Sequence, residues 1–273
     1  MIQTLHLFPI LDKKLLELLR SLTPEEWNLP TIAKLWTVKD IATHLLDGNF
    51  RALSLSRDKH SIQPDRDIGS YDELVGYLNQ LNADWVKATK RLSPRVLIEL
   101  LETTGEQYSS YLPTLDLNAD AIFSVGWAGE DVSRNWFHIA REYTEKWHHQ
   151  QQIRDATGKQ GIMTRELFYP FIETFMYGLP HTYRNEAAAE GTTIRITIDT
   201  EIGGSWYLQR NNNKWALCNS TTNAVDAELV IQPDTAWKLF TKGIRPDTAM
   251  DGCRISGKTE LAKPALNLVA VMA

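Results

Sequence analysis

The sequence predicts an α+β protein, a long helical region followed by a small α/β region with a mainly antiparallel sheet. Two observations predict it. Up to about residue 185, apolar side chains recur at helical spacing behind short capping sequences. Beyond Asn185-Glu-Ala-Ala-Ala-Glu-Gly191 the composition changes, and Ile194, Ile196 and Ile198 alternate with Arg195 and Thr197 at strand spacing. The expected domains are residues 1–186, a helical bundle, and residues 187–273.

Leu15, Leu16, Leu18 and Leu19 form the apolar pattern of a first helix. Thr23-Pro24 opens a short helical turn, with proline at a position where its missing N–H costs nothing. Thr37-Val-Lys-Asp40 is a capping-box variant that opens a helix containing His44. Ser70-Tyr-Asp-Glu73 opens another, to about Leu92, and Ser93-Pro94 a fourth. Residues 116–129 read as loop. A long helix is expected from Asp131 to Ala156, ended by Gly158. One more is expected over Thr164–Asn185, disturbed at Pro170 and Pro180. Gly203-Gly204 and Asn211-Asn212-Asn213 are turns between strands at 205–210, 214–219 and 227–232. Pro233-Asp234 starts a short helix, Ile255 marks a further strand, and Ala265–Met272 is expected to pack on the sheet as a helix.

Composition excludes several functions. The chain has 273 residues, net charge −5, and 43% hydrophobic and 23% charged residues, ordinary for a soluble globular protein. Neither part is basic enough to track phosphates, which argues against nucleic acid. There is no apolar run long enough for a membrane span and no signal-peptide pattern at the N-terminus. Cys218 and Cys253 read as free thiols in a reducing cytoplasm.

The chemistry is concentrated in Glu145-Lys-Trp-His-His149. Residues four apart on a helix share a face, so Glu145 and His149 aim at nearly the same point. If His44 faces that point from a neighbouring helix, two imidazoles and a carboxylate make a divalent-metal site with an open coordination position. The bland alternative is an exposed salt-bridge pair on a surface helix. Imidazole and carboxylate suit zinc first, with nickel, iron or manganese possible. A thiol or water at the open position would be acidified. His138, Arg141, Glu145, His149 and Gln152 fall on one helical stripe. His138 and Arg51 are candidate substrate-binding residues; His148, about 100° around the helix from His149, reads as non-ligating.

Trp27, then Trp36-Thr-Val-Lys-Asp-Ile-Ala-Thr-His44-Leu, and Glu145-Lys-Trp-His-His149-Gln-Gln-Gln-Ile-Arg-Asp155 resemble the DinB-like, mycothiol-dependent maleylpyruvate isomerase N-terminal family over roughly residues 5–180. The resemblance implies a four-helix bundle with the metal on His44, Glu145 and His149. Asp234-Thr-Ala-Trp237-Lys-Leu-Phe-Thr-Lys-Gly243 and Ile255-Ser-Gly257-Lys-Thr-Glu-Leu-Ala resemble a sterol-carrier-like domain. That second resemblance implies a basic residue assisting the active site, with Lys242 and Arg245 as candidates beside the plainer reading of a solvated turn.

Three functions follow as expectations. The first is a metal-dependent isomerase or S-transferase, in which a metal-activated low-molecular-weight thiol attacks an electrophilic small molecule. The second is a metal-dependent hydrolase on the same site. The third is a non-enzymatic protein that encloses an apolar ligand, with a structural metal and Trp206, Trp215 and Trp237 lining the pocket. The expected assembly is a monomer or homodimer, with no nucleic-acid or membrane partner.

Overall fold

Side-chain caps set the starts of three long helices. The computed structural model describes residues 1–218 and 220–271, with Tyr71 described without its side chain. After a 3-10 turn at Leu5–Leu7, α1 runs over Phe8–Arg20. Helix α2 covers Val38–Ala52, α3 Tyr71–Thr89 and α4 Pro94–Tyr111. At α2 the box is reciprocal: Thr37 Oγ1 accepts from Asp40 N at 3.3 Å, and Asp40 Oδ2 accepts from Thr37 N at 3.0 Å. Ser70 Oγ accepts from Glu73 N at 3.2 Å and Ser93 Oγ from Val96 N at 3.3 Å. Thr37→Ala is expected to cost about 1 kcal/mol in urea unfolding, because it leaves the first-turn amide of Asp40 without its partner. An unchanged unfolding midpoint would contradict the cap's role.

Helix α5 spans Asn135–Thr157. It begins four residues later than the sequence suggests, because Ser133 is tied to Glu130 and accepts from the Val125 amide, which holds that stretch as loop. It ends as expected, at Gly158 with φ +67°. Helix α6, Arg165–Met176, runs through Pro170. The lost backbone bond is outweighed by an apolar face in which Leu167, Phe168, Phe171, Ile172 and Phe175 are buried. A single turn, α7, follows at Leu179–Thr182.

The strands are β1 Thr193–Ile198, β2 Gly204–Asn211, β3 Lys214–Cys218, β4 Ala227–Ile231 and β5 Cys253–Gly257. They form one sheet in the order β3-β2-β1-β4-β5. Asn212 and Asn213 at φ 51° and 60° make the tight β2–β3 turn that the three asparagines announce. The β1–β2, β2–β3 and β4–β5 pairings are antiparallel, whereas β1 and β4 run parallel, Ile196 opposite Leu229. The sheet is thus mainly antiparallel, as expected, with one parallel pairing: the chain leaves β3 at the sheet edge and returns beside β1 in the same direction. Between β4 and β5 lie α8, Pro233–Phe240, and α9, Pro246–Ala249. A turn of helix, α10, follows β5 at Thr259–Ala262.

The expected C-terminal helix is a 3-10 segment, Lys263–Asn267, followed by extended chain. Its direction is set when Ala270 N donates to Phe240 O at 3.0 Å, a bond incompatible with continuing helix. Met272, within that expected helix, and Asn219, at the expected end of β3, lie outside the described residues.

The chain divides into two compact units. One holds residues 4–122 and 145–162. Its core packs Leu15, Leu18, Ile41, Leu45, Leu97 and Ile153, drawn from α1, α2, α4 and α5. The other holds residues 1–3, 123–144 and 163–271. There Ile194, Ile196 and Leu229 of the sheet are fully buried, as are Trp237 and Phe240 of α8. Trp206 is 2% exposed and stacks on Tyr169, and Trp215 donates through Nε1 to Glu186 O. These aromatics are packing residues.

Candidate metal centre

Helix α2 buries Val38, Ile41, Ala42, Leu45 and Leu46, and His44 lies on the same buried side at 9% exposure. Helix α5 presents His148 and His149 at 4% and 8% exposure. The Glu145 side chain is 30% exposed, so the group opens on that side. His149 Nε2 lies 3.5 Å from Glu145 Oε2, and His148 Nδ1 lies 4.0 Å from the same oxygen. Each of the three offers a ligand atom within 4.8 Å of the other two. His44 meets His149 edge-on, ring centroids 4.6 Å apart and planes at 75°.

The ligand atoms that lie within 4.8 Å of one another belong to Glu145, His148 and His149, and His44 adjoins them through its ring contact with His149. His148 was set aside for its angular distance from His149. The relevant neighbour is Glu145: i+3 and i+4 flank residue i on either side of its stripe, so both histidines reach the carboxylate. Two residues that the sequence places near these histidines without a role, Trp36 and Gln152, also meet the imidazoles. Trp36 lies over the imidazole pair, 4.7 Å from His44 and 6.2 Å from His149 between centroids. Gln152 Oε1 lies 2.9 Å from His149 Nδ1. The Trp36 signal was its adjacency to the cap of α2, and the Gln152 signal its i+3 spacing from His149.

The residues fit a divalent cation. Nδ1 of His44 is buried without a hydrogen-bond partner, which leaves a lone pair or proton unsatisfied. Burial pushes the His44 imidazole well below its ordinary range, with the neighbouring His149 and Arg51 acting the same way and Glu145 opposing. It is therefore neutral at pH 7, the form that ligates metal. Imidazole nitrogens beside one carboxylate are the donor set of zinc and related ions.

The remaining candidates have the following surroundings. Arg51 pairs with Asp47, Nε to Oδ2 2.9 Å, and its side chain is 46% exposed. Arg245 is 83% exposed and 3.9 Å from Asp247, a solvated turn. Lys242 takes a left-handed conformation, φ 62°, just after α8. Cys218 and Cys253 are free thiols.

His138 is 7% exposed, and its Nδ1 lies 3.1 Å from Arg141 Nη2; Arg141 also pairs with Glu142. Burial pushes this imidazole down to about 4, opposed by Glu142 and aided by Arg141. An unfolded histidine titrates near 6.5. Between those values the unfolded chain binds a proton that the folded chain does not. Stability from this group is therefore complete above about pH 6.5 and falls as pH drops toward about 4. His138→Gln is expected to flatten that part of the stability–pH curve, measured by urea midpoints at pH 7 and 4.5. An equal drop in both proteins would contradict it.

A helical region carrying a His–Glu group, followed by a five-stranded mixed sheet, defines the class of protein. The sequence profile of the mycothiol maleylpyruvate isomerase N-terminal domain matches residues 8–154, and the chain belongs to that family. The crystal structure of the mycothiol-dependent maleylpyruvate isomerase superposes with a TM-score of 0.56 at 10% identity, covering 92% of this chain and 91% of that one. A histidine-to-alanine variant of a mycothiol-dependent maleylpyruvate isomerase gives 0.51 at 11% identity over the same shares. At such identities the likeness establishes the fold, α+β over nearly the whole chain. No curated protein matches the sequence. Among the described residues, no helix is long and apolar enough to cross a membrane.

Proposed function

We propose that the protein is a metal-dependent enzyme using a low-molecular-weight thiol as cosubstrate, an isomerase or S-transferase acting on an electrophilic small molecule. The observation that carries this reading is the approach of His149 Nε2 to Glu145 Oε2 beside the buried His44 ring, in a chain of this family. The ligands in this reading are His44, Glu145 and His149, and zinc is the first choice of metal. A divalent cation bound there supplies a Lewis acid that holds a thiol as its thiolate at neutral pH.

The chain's own residues do the rest. His44 stays neutral in its buried setting, His44 and His149 are the nitrogen donors, and Glu145 contributes the negative charge that favours a cation. Trp36 walls the imidazole pair and limits water at it. With an activated cis alkene such as maleylpyruvate, sulfur bonds to an alkene carbon and the double-bond pair moves onto the conjugated carbonyl as an enolate. Rotation about the resulting single bond follows. The enolate then collapses, restores the double bond in the trans form and expels the thiolate. With an electrophile bearing a halide, sulfur bonds to the carbon, the carbon–halogen bond breaks, the halide departs with the electron pair, and the product is the thioether conjugate.

Residues 1–186 are taken as the catalytic bundle and 187–273 as an appended sterol-carrier-like domain, in a cytoplasmic monomer or homodimer. The test supplies zinc-loaded protein with mycothiol, bacillithiol or glutathione, and with maleylpyruvate or a halogenated aromatic. Turnover requiring both metal and thiol is expected. Turnover without thiol would point to hydrolysis, and metal-loaded protein inert across the panel would remove the proposal.

A further inference from the structure

We infer that Gln152 is a positioning residue for His149, fixing the imidazole with its proton on Nδ1 and its lone pair on Nε2. This rests on the metal-site reading above and adds a residue to it. Gln152 is 5% exposed and lies one turn beyond His149 on α5, so its amide is held by the helix and by burial together. Its Oε1 stands 2.9 Å from Nδ1. An amide oxygen only accepts hydrogen bonds, so the proton belongs to Nδ1. The other ring nitrogen, Nε2, then carries the lone pair on the side where Glu145 Oε2 lies 3.5 Å away.

Outer hydrogen bonds of this kind set which nitrogen ligates and hold the ring plane in place. Here the acceptor is neutral. It orients His149 without adding a negative charge beside the cation, so the acidifying power of the site is preserved. A glutamate at 152 would orient the ring equally well and reduce that power.

Two measurements test it. Nitrogen NMR of His149 in metal-free protein reads the tautomer directly and is expected to show the proton on Nδ1. Zinc affinity, read by competition with a chromophoric chelator, is expected to fall about 10- to 100-fold in Gln152→Leu. Gln152→Glu, which keeps an acceptor, is expected to retain wild-type affinity or exceed it while moving the pH profile of thiol-dependent turnover upward. A proton on Nε2 in the wild type overturns the inference, as does wild-type zinc affinity in Gln152→Leu. Wild-type protein that binds no zinc would sink the metal reading alone, because the tautomer measurement needs no metal.

Discussion

Glu145→Gln and His149→Ala are each expected to abolish stoichiometric metal binding and, with it, thiol-dependent turnover. Glutamine keeps the shape of the side chain and removes the charge, and alanine removes the nitrogen that stands 3.5 Å from Glu145 Oε2. A thiol of ordinary pKa near 8.5 is only about 3% ionised at pH 7. A site that no longer acidifies it leaves a rate up to ~30-fold lower from that cause alone, and loss of the metal's positioning adds to it. Metal content and turnover are measured on the same preparations. Glu145→Gln protein that holds a full equivalent of metal and turns over at the wild-type rate would contradict the assignment.

The second large effect is on stability. Asp12→Ala is expected to cost about 1–3 kcal/mol in urea unfolding at pH 7, because it leaves a largely enclosed ammonium without its partner. Lys146 Nζ lies 2.6 Å from Asp12 Oδ1, with the side chains 11% and 16% exposed. Ser109 Oγ donates to the other Asp12 oxygen at 3.2 Å, and the Lys146 ammonium lies over the Tyr108 ring, 5.6 Å from its centroid. The pair ties α1 to the turn of α5 that begins at Glu145. Replacing both partners with apolar residues, Asp12→Leu with Lys146→Met, is expected to recover most of the loss, since no charge is then left uncompensated. A loss below 1 kcal/mol in Asp12→Ala would show that the ammonium finds water or another partner.

Local signals carried much of the fold. The Thr37–Asp40 box, Ser70, Ser93 and Gly158 mark helix ends through bonds or backbone angles that depend on nearby residues alone. The alternation of Ile194, Ile196 and Ile198 likewise needs only strand geometry, and all three are buried. The parallel pairing of β1 with β4 was not legible, because period-2 alternation is the same for either direction. Nor was the C-terminal segment, whose extended course depends on a bond to Phe240, thirty residues back.

At the site the same division holds. The Glu145–His149 spacing is a property of any helix, and so was readable. The edge-on contact of His44 with His149 is tertiary, so residue spacing states their meeting only as a condition, and the family resemblance is what implies a shared site. The nearness of His148 to the carboxylate follows from its i+3 spacing to Glu145, a spacing that its angle from His149 does not express. The Asp12–Lys146 pair, 134 residues apart, leaves no mark in the sequence.

The most direct test of the metal centre is a crystal soaked in zinc and examined by anomalous scattering at the zinc edge. The account predicts one strong peak bonded by nitrogens of His44 and His149 and an oxygen of Glu145. A peak held by Glu145, His148 and His149 with His44 turned away, or none near these side chains, would contradict it.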